Sequence, residues 1–222
     1  MNYSDDSKGF TDLSLIVPDI LLDIRYYSTY NFVGCRVDGY EMPAALLTVE
    51  AAEALHGVNE KIRQDGYGFR VFDAYRPQSA VDHFVRWAKD RKDTRMKAVF
   101  YPEVDKSRLF AEGFITDFSG HTRGSTVDLT LYDRRSGENI DMGGPFDYFG
   151  VRSHYDAPGL TGEQRANRRY LREKMMEGGF APYPEEWWHF TLSNEPYPDT
   201  YFTFPVRCRE KTVSDGKEDG KQ

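Results

Sequence analysis

Within the stretch from Ser125 to Asp133, STVDLTLYD, polar and apolar residues alternate from Thr126 to Leu131, and a period of two points to a strand. Val127, Leu129 and Leu131 then face a core, while Thr126, Asp128 and Thr130 face the other way. A carboxylate is thereby fixed on a stiff element. Just upstream, Ser119-Gly120-His121-Thr122-Arg123-Gly124 sets an imidazole on a glycine-bearing loop that is free to fold back until His121 and Asp128 converge. Imidazole nitrogen and carboxylate oxygen are both ordinary zinc donors, although the same pair also suits a structural hydrogen bond.

Local signals place the neighbouring elements. Thr48 caps a helix through VEAAEALHGVNEKIRQ, where Leu55, Val58 and Ile62 recur at helical spacing until Gly66 ends it. GFRVFDAY follows as a strand closed by Arg76-Pro77. Pro77 has no N–H to lose and suits the first turn of a helix through PQSAVDHFVRWAKD. Residues 91–119 are polar with scattered aromatics, as in a loop or lid beside a site. Another helix starts at Thr161, where Gln164 completes a capping box, and stops at Gly178-Gly179; WWHFTLS is the last strand. Interleaved helices and short strands with hairpin-like spacing predict an α+β fold with a mixed or antiparallel sheet. A single domain over residues 1–209 is expected, with 210–222, charged and without apolar periodicity, as a polar tail.

Composition narrows the function. A formal net charge of -7 disfavours a nucleic-acid or anionic-membrane surface, because phosphates are bound by clustered excess Lys and Arg. No apolar run approaches the roughly 18 residues of a membrane span. The amino end has no basic stretch leading into an apolar segment, so a cytoplasmic protein is expected, with a periplasmic mature form as the alternative if a signal was removed. Cys35 and Cys208 lie far apart with no CxxC spacing, which argues against a thiolate metal site. Their pairing would imply an oxidising compartment.

The segment Glu186-Trp187-Trp188-His189 adds a second imidazole three residues after a carboxylate. Catalytic zinc needs three protein ligands, an open position for water, and a nearby base for that water's proton. Residues three apart on a flat strand point to opposite faces, so Glu186 must sit on a turn or bulge, which Pro182 and Pro184 make plausible. His56 and His83 fall in amphipathic helices and are expected to pack or face solvent. His154, within Arg152-Ser153-His154-Tyr155-Asp156, is the remaining candidate, for a role behind the ligands.

Taken in order, DIRYYSTYNFVG, VDGYE, FDAYRP, SGHTRGSTVDLTL, DMGGPFD and EWWHFTL resemble the D-alanyl-D-alanine dipeptidases of the vancomycin-resistance type, a family related to the D-Ala-D-Ala carboxypeptidases. The match runs from about Phe10 to Pro205. The resemblance implies a small α+β domain with an antiparallel sheet and a nearly enclosed zinc site. It implies one Zn2+ held by His121, Asp128 and His189, with Glu186 as general base and Arg76 stabilising the oxyanion. Asp147 and Ser119 then match positions near the substrate's ammonium group, and Tyr26 and Tyr40 match pocket positions. Cys35 and Gly144-Pro145 depart from the family pattern, the latter in the loop before Asp147. The implied reaction is zinc-dependent hydrolysis of D-alanyl-D-alanine, or a closely similar small dipeptide, to free amino acids. The rival readings are a D,D-carboxypeptidase acting on longer cell-wall peptides and a zinc-dependent peptide-binding module without catalysis.

Overall fold

A computed structural model describes residues 2–207; the expected tail and Cys208 lie outside the described residues. The strands and helices follow one another as β1 (Asn2–Ser4), β2 (Phe10–Asp12), α1 (Leu13–Ile16), β3 (Leu21–Leu22), β4 (Leu46–Thr48), α2 (Val49–Gln64), β5 (Tyr67–Asp73), α3 (Gln78–Lys89), α4 (Lys97–Phe100), β6 (Thr126–Asp133), α5 (Gly162–Glu177), β7 (Phe180–Tyr183), β8 (Glu186–Leu192) and β9 (Thr200–Phe202). The fold is mixed α+β, as its interleaved local signals require.

Two long helices begin where their caps predict. Thr48 accepts the Ala51 N–H at the head of α2, whose Leu55, Val58 and Ile62 are buried. At α5 the Thr161 hydroxyl and the Gln164 side chain satisfy each other's backbone N–H groups, completing the reciprocal box. Pro77 stands one residue ahead of α3. The segment 91–119 is less irregular than its composition suggests, since it contains α4 and a short 3-10 turn at Lys106–Arg108.

The central sheet runs β3-β5-β6-β8-β7 and is antiparallel except where β3 joins β5. β6 shows the expected pleat but is buried on both faces, Thr126, Asp128 and Thr130 as fully as Val127, Leu129 and Leu131. α2 packs on β5 and on α5, and α5 packs on β7. Two further strand pairs lie outside this sheet, β1 parallel with β9 and β2 antiparallel with β4.

Two irregularities in the sheet prepare the site. Tyr67 to Val71 pair regularly with Asp133 to Leu129, but Asp73 rather than Phe72 pairs with Asp128. The extra residue is a β-bulge, which turns Asp73 away from the face of Phe69 and Val71 and toward Asp128. On the far side, Pro182 pairs with Phe190 and Tyr183 with Glu186, so three β8 residues stand against no intervening residue of β7. That break frees Glu186 from strict alternation with His189. The expected bend is therefore present, although the strand opens on Glu186 itself.

Candidate metal centre

His121 reaches the sheet through a short 3-10 turn, Gly120–Arg123. The Ser119 side chain caps it by accepting the His121 N–H at 3.3 Å. Gly124 ends it with φ +81, and a Cβ there would lie 2.2 Å from Phe10 Cε1, so both backbone and space demand glycine. The chain can then re-enter the sheet at β6 with Asp128 four residues on. His189 pairs directly opposite Asp128 across β6 and β8. One loop and two adjacent strands thus converge on a single point.

The separations there are those of a coordination shell. His121 Nε2 lies 3.2 Å from Asp128 Oδ2, His189 Nδ1 lies 3.1 Å from Asp128 Oδ1, and the two imidazole nitrogens are 3.3 Å apart. Donors about 2 Å from one tetrahedral ion stand roughly 3.3 Å from each other. The rings are set edge to face at 79°, so their lone pairs meet at a corner instead of stacking. His121, Asp128 and His189 thus form a group that could hold a metal ion.

Partners behind the donors agree with this use. His121 Nδ1 is 2.7 Å from the Ala74 carbonyl, which fixes the proton on Nδ1 and leaves the Nε2 lone pair directed at the centre. Asp128 Oδ1 is buried, and its contact with His189 lacks the geometry of a hydrogen bond, so its lone pairs lack a donor. A cation at this point would satisfy that oxygen, and the residues present fit a zinc ion. Burial pushes the Asp128 carboxyl up, but the two imidazoles more than reverse this and hold it well below the usual carboxylate range. Burial lowers His121; in His189 burial acts in the same direction, but the neighbouring Asp128 and Glu186 charges outweigh it and raise the imidazole.

A cavity of about 280 Å³ opens over the donors, lined among others by Tyr26, Phe84, Phe118, Ser119, Asp147 and Tyr183. Glu186 stands at its mouth, with Oε2 3.4 Å from His189 Nδ1, and its side chain is 35% exposed. Burial chiefly raises its pKa, with His189 opposing. Arg76 follows β5, with Nε donating to Asp73 Oδ2 at 2.9 Å and Nη2 3.7 Å from Asp128 Oδ2. Its Nη1 donates to Ser119 Oγ at 3.5 Å, and its guanidinium lies against the rings of Tyr26 and Phe84.

Asp147, with φ +60, holds its carboxylate at the cavity, where it accepts the Tyr26 hydroxyl at 2.9 Å. Burial raises the Asp147 carboxyl well above its ordinary value, and the Asp128 charge adds to the effect. A buried acid held in this way is stabilised as an anion by an incoming cation.

Tyr40 stands apart from the other expected site residues. It is absent from the cavity wall, and its hydroxyl donates to Asp73 Oδ1 at 2.6 Å. Asp73 itself is the residue that reading by alternation passed over. It is fully buried, clamped between Tyr40 and Arg76, and 3.7 Å from His121 Nδ1. An acid inside the apolar run GFRVFDAY was the available signal, since buried charges need partners. His56, His83 and His154 do not line the cavity; His83 Nδ1 accepts the Asp38 N–H.

Over residues 6–207 the chain matches a peptidase family described as D-ala-D-ala dipeptidase. A D-alanyl-D-alanine dipeptidase of Enterococcus faecium is 42% identical over 199 residues, which span 90% of this chain and 98% of that protein. One from Streptomyces coelicolor is 43% identical over 197 residues, 89% of this chain and 98% of its own length. One from Escherichia coli K12 is 30% identical over 187 residues, 84% and 86% of the two chains. Among solved structures, a vancomycin resistance D,D-pentapeptidase in complex with Zn(II) superimposes with a TM-score of 0.42 and 16% identity, covering 69% of this chain and 76% of that one.

Proposed function

Because the chain belongs to the D-Ala-D-Ala dipeptidase family of peptidases, we propose that it hydrolyses D-alanyl-D-alanine, or a closely similar small dipeptide, to free amino acids with the help of one zinc ion. The observation that carries this reading is the convergence of His121, Asp128 and His189 beneath a cavity that also holds Glu186, Arg76 and Asp147. His121, Asp128 and His189 would hold the metal. When bound, zinc supplies Lewis acidity, which acidifies water and polarises a carbonyl.

The remaining work falls to the chain's own side chains. Glu186 takes the proton of the attacking water and passes it to the departing amine. Its raised basicity suits both transfers, and its place at the cavity mouth gives it access to water and substrate. The Arg76 guanidinium, held on one edge by Asp73, offers its other N–H groups to the oxyanion that forms at the scissile carbon. Asp147 pairs with the substrate's free ammonium, and the Tyr26 hydroxyl keeps the carboxylate turned toward it. Ser119 adds a hydroxyl at the same wall.

Size and charge support a small substrate with a free amine. About 280 Å³ lies at the lower end of pockets that hold small ligands. A buried carboxylate left without its counter-charge costs several kcal/mol, so a blocked amine should be rejected. The test is a stereochemical panel of dipeptides, with the amine-acetylated dipeptide and a pentapeptide stem beside it. Hydrolysis of free D-Ala-D-Ala well above the others is expected. Equal rates on the acetylated dipeptide remove the role of Asp147, and preference for the pentapeptide assigns a carboxypeptidase.

A further inference from the structure

Arg168 projects from the middle of α5 and is 1% exposed, an unusual place for a guanidinium. Its hydrogen bonds all go to backbone carbonyls of one loop. Nε donates to Met142 O at 2.6 Å, Nη1 to His154 O at 2.6 Å and Nη2 to Arg152 O at 3.1 Å. The first oxygen belongs to the start of the loop and the other two to its end, so a single rigid fork closes the loop at its base. Asp147 lies between these feet, in a left-handed conformation uncommon outside glycine, although aspartate adopts it more readily than most residues. Phe146 stacks on Phe72 at 4.7 Å, and the Phe149 N–H donates to Phe100 O at 2.7 Å. The loop's interior is therefore seated against the body of the domain while its ends are held by Arg168.

Fold stability alone gives little reason to bury this cation. A well-packed apolar side chain in place of a buried charge is commonly neutral or stabilising. What the guanidinium adds is geometry, since three carbonyls from both feet are fixed at once by one planar group. It also lies 5.6 Å from the ring of Trp187, the residue after Glu186.

We propose that Arg168 is the positioning residue for ammonium recognition: by tying both feet of the 142–154 loop to α5, it sets where the Asp147 carboxylate stands over the cavity. The inference rests on the reading of Asp147 as the partner of the substrate's free amine. Loosening the feet lets that carboxylate drift while Glu186, Arg76 and the donor set stay in place.

Arg168→Lys keeps the charge but not the fork, and Arg168→Met keeps much of the volume without donors. Both are assayed for kcat and KM on free D-Ala-D-Ala, for the ratio of kcat/KM between the free and the amine-acetylated dipeptide, and for zinc content, beside Asp147→Asn. The expected result for Arg168→Lys is a KM raised roughly tenfold, within the roughly 10²-fold that an ångström-scale misplacement can cost. With it go a reduced ratio of free to acetylated substrate, kcat within about threefold and full zinc content. A folded Arg168→Lys with unchanged KM and ratio, or with kcat lowered at constant KM, overturns the proposal. If Asp147→Asn itself leaves KM and ratio unchanged, the ammonium reading fails and the inference falls with it. A normal Arg168→Lys beside an impaired Asp147→Asn refutes the role of Arg168 alone.

Discussion

Replacing Tyr40 by Phe removes one oxygen from a fully buried network and leaves the packing almost intact. The ring is 2% exposed, and its hydroxyl donates at 2.6 Å to Asp73, a carboxylate that water does not reach. Without it, Asp73 Oδ1 loses its donor while Oδ2 keeps the Arg76 Nε bond. A hydrogen bond to a charged group contributes about 1.5–3 kcal/mol, and leaving the acceptor unsatisfied puts the loss toward the upper part of that range. In a domain of this size, about 2–3 kcal/mol corresponds to a fall in Tm of roughly 4–12 °C. Turnover should fall less than in Arg76→Ala, because the guanidinium keeps Asp73 on one edge and the Tyr26 and Phe84 rings beside it. Denaturant unfolding and dipeptide kinetics on Tyr40→Phe, Arg76→Ala and wild type measure both effects. Unchanged stability in Tyr40→Phe means that the hydroxyl does not serve Asp73. A rise in KM with stability intact would instead put Tyr40 in contact with substrate.

Other expected outcomes follow from single residues. Glu186→Gln keeps the shape of the cavity mouth and should retain zinc while losing about 10²–10⁴ of turnover; a variant of near-normal activity requires another base. Gly124→Ala should cost about 2–4 kcal/mol, because it combines a left-handed φ with a Cβ driven into Phe10, and denaturant midpoints measure it. Asp141 accepts from the Gly143 N–H and the Gln164 side chain, which hold its carboxyl below its ordinary value. A depressed carboxyl stabilises above its unfolded pKa and loses that contribution as pH falls through its folded one. The stability gap between wild type and Asp141→Asn should therefore close on acidification, and a gap constant down to pH 2 would refute it.

Signals confined to a few neighbouring residues were legible before any coordinates. The capped starts of α2 and α5 and the pleat of β6 stand where local chemistry puts them, and His121, Asp128 and His189, the ligands that the family resemblance implies, lie close to one another. What escaped depends on distant pairing. β1 and β9 are three residues each and meet across almost the whole chain, so neither carries a pattern that names its partner. Asp73 alternates in sequence with Phe69 and Val71, which assigns it to their face, and only the bulge opposite Asp128 reverses this. Tyr40 is paired with it from 33 residues away, and aromatic residues near a site do not announce which of their atoms face the cavity. Likewise, alternation in β6 reported two faces but not that the rest of the domain covers both.

The central claim is that His121, Asp128 and His189 hold the zinc ion on which hydrolysis depends. Metal content and dipeptide turnover measured on the same preparations, before and after chelation and after return of zinc, test it most directly, with His121→Ala alongside. About one zinc per chain, loss of turnover with the metal, recovery on its return and absence of both in His121→Ala are expected. Full turnover in protein stripped of all metal, or normal zinc content and activity in His121→Ala, would contradict the account.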